Sequence, residues 1–267
     1  MTGAIRTGCG GWTFEPWRGV FYPDTVKQKD ELSYMSRRLR SIEINGTYYS
    51  TFKPDSWKKW RDETPDDFVF TVKGSRFTTN RKVLAEAGES LERFLNQGMT
   101  GLGAKLGPIF WQFAHTKKFD PEDFEGFLAL LPKSCDGIAL RHAVEVRHDS
   151  FCNPEFATLI RKHGIACVYA KHERYPEIAD VTADFVYARL QTGSDDCETA
   201  YPPKELDDWA ARLKTWAAGG VPADLPLVDP GQKPAAKPRD VFAFIIHEGK
   251  VRAPHGAEAL QARVDAA

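Results

Sequence analysis

The sequence predicts an α/β fold, a single (β/α)8 barrel of the TIM type with a Pro-rich insertion before its last strand. Three observations point there. Short β-rich runs alternate with helical segments, the pattern of a parallel sheet covered by helices. The runs number eight, and the 267 residues match the roughly 250 typical of one closed barrel.

In chain order the strands fall at 5–9, 41–45, 68–73, 109–113, 143–147, 166–170, 185–191 and 241–247. After the fourth, Asp120-Pro121 opens a helix running to Leu131. After the fifth, the Asn153 side chain can cap free N–H groups, Pro154 fits the first turn, and the helix ends near His163 before Gly164. Between Lys171 and Asp184 there is room only for a short helical turn around 177–179. Pro203 begins a helix whose Leu206, Trp209, Leu213 and Trp216 share one face, and Gly219-Gly220 stops it. Residues 219–240 hold five prolines and little periodic hydrophobicity, which reads as an irregular insertion. Because the barrel needs 241–247 to close, 1–267 reads as one domain.

Hydrophobic residues at 42% and charged residues at 27% are globular values. A net charge of −1 argues against a protein coated in basic charge for nucleic acid, although a local basic site fits within a balanced total. Five cysteines without a CxxC pair suggest neither a disulfide framework nor a zinc site, and they fit a reducing cytoplasm. No signal peptide or membrane span is readable, and no organic-cofactor motif occurs.

Parallel barrel strands usually read as nearly continuous Val, Ile and Leu, so their polar residues need an explanation. By parity, Glu43 and Asn45 oppose Ile42 and Ile44, while Glu145 and Arg147 oppose Val144 and Val146. Arg189 and Gln191 oppose Val186, Ala188 and Leu190, and Thr71 and Lys73 oppose Phe70 and Val72. These polar residues are expected inside the barrel and late in their strands, where this fold builds its sites. With Gln112, and with Arg76, His148, His172 and His247 just beyond strand ends, they define one expected pocket. Lys73, Arg76, Arg147 and Arg189 outnumber Glu43 and Glu145, so an anionic ligand is expected. The competing reading is a structural ion-pair network. Buried charges cost several kcal/mol unless paired, so such a network is a poor source of stability by itself.

Several runs together resemble one family: GCGGW at 8–12, FYP at 21–23, IEINGTYY at 42–49, FVFTVKGSRF at 68–77, LGPIFWQF at 106–113, VEVRHDSF at 144–151 and YARL at 187–190. The chain is similar to the domain of unknown function 72 family, also called YecE-like. That resemblance implies a TIM-type barrel and no established activity. The chain departs from the family pattern at Gln191, where a histidine usually follows Arg-Leu, and at Ile246-His247, where two asparagines often stand.

Three functions remain open. In the first, a barrel enzyme acts on a small anionic, phosphorylated or sugar-like substrate, with Glu43 and Glu145 as acid and base. Asn45, Tyr48, Lys73, Arg76, Gln112, Arg147, His148, Arg189 and Gln191 bind that substrate. The second is a nucleic-acid-binding or metal-dependent phosphodiester-cleaving barrel like endonuclease IV. Its metal would need His148, His172, His247, Glu43 and Glu145, but no HxH or HExxH spacing supports one. The third is a non-catalytic ligand-binding barrel. His148-Asp149 can instead cap a loop, and Cys9 reads as a small buried hydrophobe. The aromatics at Trp12, Phe14, Trp17, Phe21 and Tyr22, like Tyr48 and Tyr49, either pack or stack on a ligand ring.

Overall fold

The computed structural model describes residues 2–266, apart from the side chain of His247, so the expected place of that histidine in the pocket lies outside the described residues. Its strands are β1 (Ile5–Gly10), β2 (Ser41–Ile44), β3 (Val69–Lys73), β4 (Leu106–Gln112), β5 (Ser134–Cys135), β6 (Ile138–Ala139), β7 (His142–Glu145), β8 (Ala166–Lys171), β9 (Phe185–Thr192) and β10 (Asp240–Glu248). β5 and β6 form a small antiparallel pair outside the barrel. The other eight close a parallel barrel in the order β1-β10-β9-β8-β7-β4-β3-β2, the predicted TIM-type architecture. Around it stand α1 (Glu31–Ser36), α2 (Pro54–Asp62), α3 (Arg76–Thr79), α4 (Gly88–Leu95), α5 (Pro121–Leu130), α6 (Pro154–Lys162), α7 (Pro203–Ala217) and α8 (Ala253–Asp265).

The helix signals act as their chemistry requires. Asn153 Oδ1 accepts the Phe156 N–H at 2.9 Å, and Asp120 Oδ1 accepts the Asp123 N–H at 3.2 Å. Gly164 ends its helix at φ 67°, a conformation costly for other residues. In α7, Leu206, Trp209, Leu213 and Trp216 are buried as their spacing predicts.

The structure differs locally from the expectation in three places. β4 begins at Leu106, three residues earlier than predicted, because Gly107-Pro108 sits in a bulge. Phe70 pairs with Leu106 while Val72 pairs with Ile109, which leaves one extra residue on β4. There the missing proline N–H breaks no ladder bond. Asn45 and Arg147 lie just past the ends of β2 and β7, not within them. Between β8 and β9 there is no helix among the described residues. The Pro-rich insertion lies against that connection: Ala179 N–H donates to the Pro226 carbonyl, and Asp180 accepts the N–H groups of Val228 and Asp229.

The parity reading holds. Ile42, Ile44, Val72, Val144, Ala188 and Leu190 pack under the helices. Val69, Phe110, Ala143, Tyr187, Phe242 and Phe244 fill the barrel. The Tyr187 ring lies 5.3 Å from Phe110 and 5.2 Å from Phe244, and each such buried side chain contributes about 1.5–3 kcal/mol. This aromatic plug makes the barrel a solid column, on which the charged residues rest. No described helix is long and apolar enough to cross a membrane.

Candidate functional site

Above the plug, the late-strand polar residues converge. Arg189 sits at the centre, its guanidinium 4.8 Å from the Phe110 ring centroid. It grips Glu43 with two bonds, Nε to Oε2 and Nη2 to Oε1, each 3.1 Å. Its Nη1 donates to Glu145 Oε2. The rest of both carboxylates is committed as well. Glu43 accepts Tyr187 Oη at 2.7 Å and Asn45 Nδ2 at 2.9 Å, and Glu145 Oε1 accepts Arg147 Nε at 2.6 Å. Glu43 and Glu145 are 0% exposed. Burial alone would raise the Glu145 pKa, but the charges of Arg189, Arg147 and Lys73 outweigh it and hold the group at about 2. Burial also works against the charge of Arg189, and Glu145 and Glu43 outweigh that.

Gln112 serves as a shared acceptor. Its Oε1 takes Lys73 Nζ at 2.9 Å, Arg147 Nη2 at 2.8 Å and Arg189 Nη1 at 3.4 Å. Lys73 is pushed down to about 8, first by burial and then by the facing Arg189 charge. Tyr48 covers it, with Nζ 4.5 Å from the ring centroid.

Over this layer opens a cavity of about 490 Å³ whose walls include Asn45, Lys73, Gln112, Arg147, Arg189 and Gln191. Glu43 and Glu145 lie beneath and do not line it. The acceptors are thus consumed below, while donors remain above. Arg147 engages Glu145 and Gln112 through Nε and Nη2, the latter also 2.6 Å from Glu145 Oε1, which leaves the two N–H donors of Nη1. Gln191 Nε2 is buried and has no partner among the described residues. An orphaned donor of this kind costs about 1–3 kcal/mol, and a ligand oxygen would remove the cost.

Of the residues expected to bind substrate, Asn45, Lys73, Gln112, Arg147, Arg189 and Gln191 are brought together. Tyr48 joins only through its ring over Lys73. Arg76 is exposed to one side, its guanidinium 5.7 Å from the Tyr49 ring and 5.3 Å from Phe77. His148 is a loop cap, its Nδ1 meeting Ser150 Oγ at 2.9 Å and N at 3.1 Å, so neither Arg76 nor His148 lines the cavity. His172 stacks on Tyr175 at 4.1 Å, and Tyr175 lies 4.4 Å from the Arg147 guanidinium. Cys9 is buried against Met35, outside the barrel interior.

Lys250 and Tyr175, which arrive from the loops after β10 and β8, carry no sequence signal that marks them. Trp17 both packs and lines the cavity, its Nε1 donating to the Lys250 carbonyl at 2.8 Å. A divalent metal does not fit this set. Both carboxylates are committed to arginines, cations line the cavity, and no three His, Cys, Asp or Glu converge as metal ligands among the described residues.

A family model described as "Protein of unknown function DUF72" matches residues 6–267. The chain belongs to the DUF72 family. The relative UPF0759 protein YecE of Escherichia coli K12 is 29% identical over 123 residues, which cover 45% of this chain and 42% of that protein. The match therefore spans less than half the length of this curated relative. A DUF72 family crystal structure from Thermotoga maritima MSB8 is 23% identical over 97% of both chains, with a TM-score of 0.68. The crystal structure of SacUVDE is 9% identical over 97% of this chain and 98% of that one, with a TM-score of 0.57. These two likenesses to DUF72 and other barrels are likenesses of fold.

Proposed function

We propose that the barrel mouth of this DUF72 protein is an active site for a small anionic substrate, phosphorylated or sugar-like. The whole chain acts as one barrel domain, and its five unpaired thiols suit the reducing cytoplasm. One observation carries the reading: a cavity lined by spare donors, with Gln191 Nε2 buried and unpartnered at its wall. Arg147, Lys73 and the amides of Gln112 and Gln191 hold the oxyanion. Arg189 supplies charge from below.

The acid and base roles first read for Glu43 and Glu145 pass to Lys73. Both carboxylates sit under the arginines, away from the cavity, and Glu145 at about 2 is too weak a base near neutrality. They position the guanidinium groups. Lys73, at about 8, keeps roughly one molecule in ten neutral at pH 7, which suits a group that exchanges protons. Nucleic-acid binding or cleavage is the second reading; the shared barrel fold of SacUVDE is consistent with it, and it needs a basic surface continuing past the mouth.

Thermal melting against inorganic phosphate, sugar phosphates, nucleotides, oligonucleotides and divalent metals tests this. Binding to the native state raises stability by mass action, about 2.7 kcal/mol at a hundredfold excess over Kd. The expected result is stabilisation by phosphate compounds that Arg147→Ala abolishes. Stabilisation by metals or oligonucleotides alone, or an equal response in Arg147→Ala, would contradict it.

A further inference from the structure

We infer that the substrate carries a planar aromatic ring besides its anionic group, and that the ring lies against Tyr49 and Phe77 in a second cavity beside the barrel mouth. The inference rests on the reading of the mouth as an oxyanion site. It deepens that reading to a class of ligand: a nucleoside monophosphate or a compound of the same plan.

The second cavity, about 440 Å³, shares Tyr49 as a wall with the mouth cavity. Tyr49 and Phe77 are 63% and 60% exposed, well above the other exposed large hydrophobic side chains of the described residues, Val20 and Val83, each at 39%. Of the other aromatics first read as packing or stacking candidates, Trp17, Phe21 and Tyr22 are buried and Trp12, Phe14 and Tyr48 half-buried.

Tyr49 is held in position while exposed. Its ring meets Tyr48 edge-on at 5.0 Å, and Tyr48 is fixed in turn by Lys73 beneath it and by Asn80 Nδ2 on its hydroxyl at 3.2 Å. Arg76 lies within 6 Å of both exposed rings. An exposed ring held in position presents a face on which another ring can stack at little ordering cost.

The charge around it agrees. Arg81 and Arg93 line the second cavity against one carboxylate, Glu89. Arg81 donates to the carbonyls of Phe77 and Glu86, not to an acid, and Arg93 has no ion-pair partner among the described residues. Cations beside stacking rings suit an electron-rich heteroaromatic ring attached to an anion. Continuity through Tyr49 places the ring next to the mouth, where the phosphate would meet Arg147, Lys73 and Gln191.

Calorimetric titration with inorganic phosphate, ribose 5-phosphate and adenosine or uridine monophosphate tests this on wild type, Arg147→Ala and the double variant Tyr49→Ala/Phe77→Ala. Both replaced rings are exposed, so the double variant keeps its fold. Stacking on an aromatic typically contributes enough for roughly tenfold tighter binding. The expected result is that wild type prefers a nucleoside monophosphate over ribose 5-phosphate by about that factor. The double variant should lose the preference, so that it binds the nucleoside monophosphate no more tightly than ribose 5-phosphate. Equal binding of the two in wild type, or a preference that survives in the double variant, overturns the inference while leaving the oxyanion site standing. Binding of a short oligonucleotide, titrated in parallel on wild type, but of no mononucleotide overturns it in favour of a nucleic-acid surface. Failure of all three ligands to bind wild type defeats the oxyanion reading itself, and is told apart by its uniformity.

Discussion

Replacing Arg189 with Met is expected to destabilise the fold by about 3–5 kcal/mol, the usual result of removing one partner from a buried ionic cluster. For a chain of this size that lowers Tm by roughly 6–20 °C. Arg189 donates to Glu43 twice and to Glu145 once, and both carboxylates are fully buried. Without it, Glu43 keeps only Tyr187 and Asn45, and Glu145 keeps only Arg147. The loss comes mainly from charge left uncompensated. Stability should therefore return in large part when Glu43→Gln and Glu145→Gln accompany Arg189→Met. Denaturant unfolding measures all three proteins. A loss below about 1 kcal/mol in the single variant would show that water reaches this layer and that the cluster is not sealed.

The second large effect is expected at Glu145, where Gln should remove about 3 kcal/mol at neutral pH and flatten the acid limb of stability. The folded protein holds this carboxyl at about 2 against an ordinary 4.5. Each unit is worth about 1.4 kcal/mol. A group depressed in the folded state stabilises fully above its unfolded value and stops doing so as pH falls through its folded value. The wild type should thus lose this contribution between about pH 4.5 and pH 2, and Glu145→Gln should show no such loss from this site. An unchanged slope over that window in the variant would mean that other carboxylates set the acid limb.

Much of the barrel was legible because two simple periods carry it. Alternation along Ile42-Glu43-Ile44 and Val144-Glu145-Val146 has only one outcome in a closed parallel sheet, since one face must meet helices and the other the barrel axis. The turn chemistry of Asn153-Pro154 and Gly164 is equally local. What escaped was non-local. The bulge at Gly107-Pro108 depends on the register with β3, and the absence of a helix before β9 is offset by an insertion more than forty residues away, as the Ala179 to Pro226 bond shows. The site followed the same division. Parity identified the convergent residues Asn45, Lys73, Arg147, Arg189 and Gln191, and the position of Gln112 late in its strand added that residue. Whether Glu43 and Glu145 face the cavity or lie under it depends on how far each side chain reaches across the barrel, and on Arg189 taking both. Loop residues Tyr175 and Lys250 carry no period that would mark them.

In the proposed function the barrel mouth presents spare donors, with Lys73 exchanging protons, to a bound oxyanion. The most direct measurement is the NMR titration of the Lys73 ammonium in the free protein and in saturating phosphate. The free protein should titrate near 8, because burial and Arg189 disfavour the charge. The same depression means that the Lys73 charge costs stability below about pH 8, and that this cost is relieved between about 8 and 10.5. An anion seated beside Lys73 favours the charged form, so phosphate should move the midpoint upward, and phosphate affinity should fall as pH rises past 8. A midpoint near 10.5 in the free protein, or one that phosphate does not move, would rule out Lys73 as a proton-exchanging group beside a bound oxyanion.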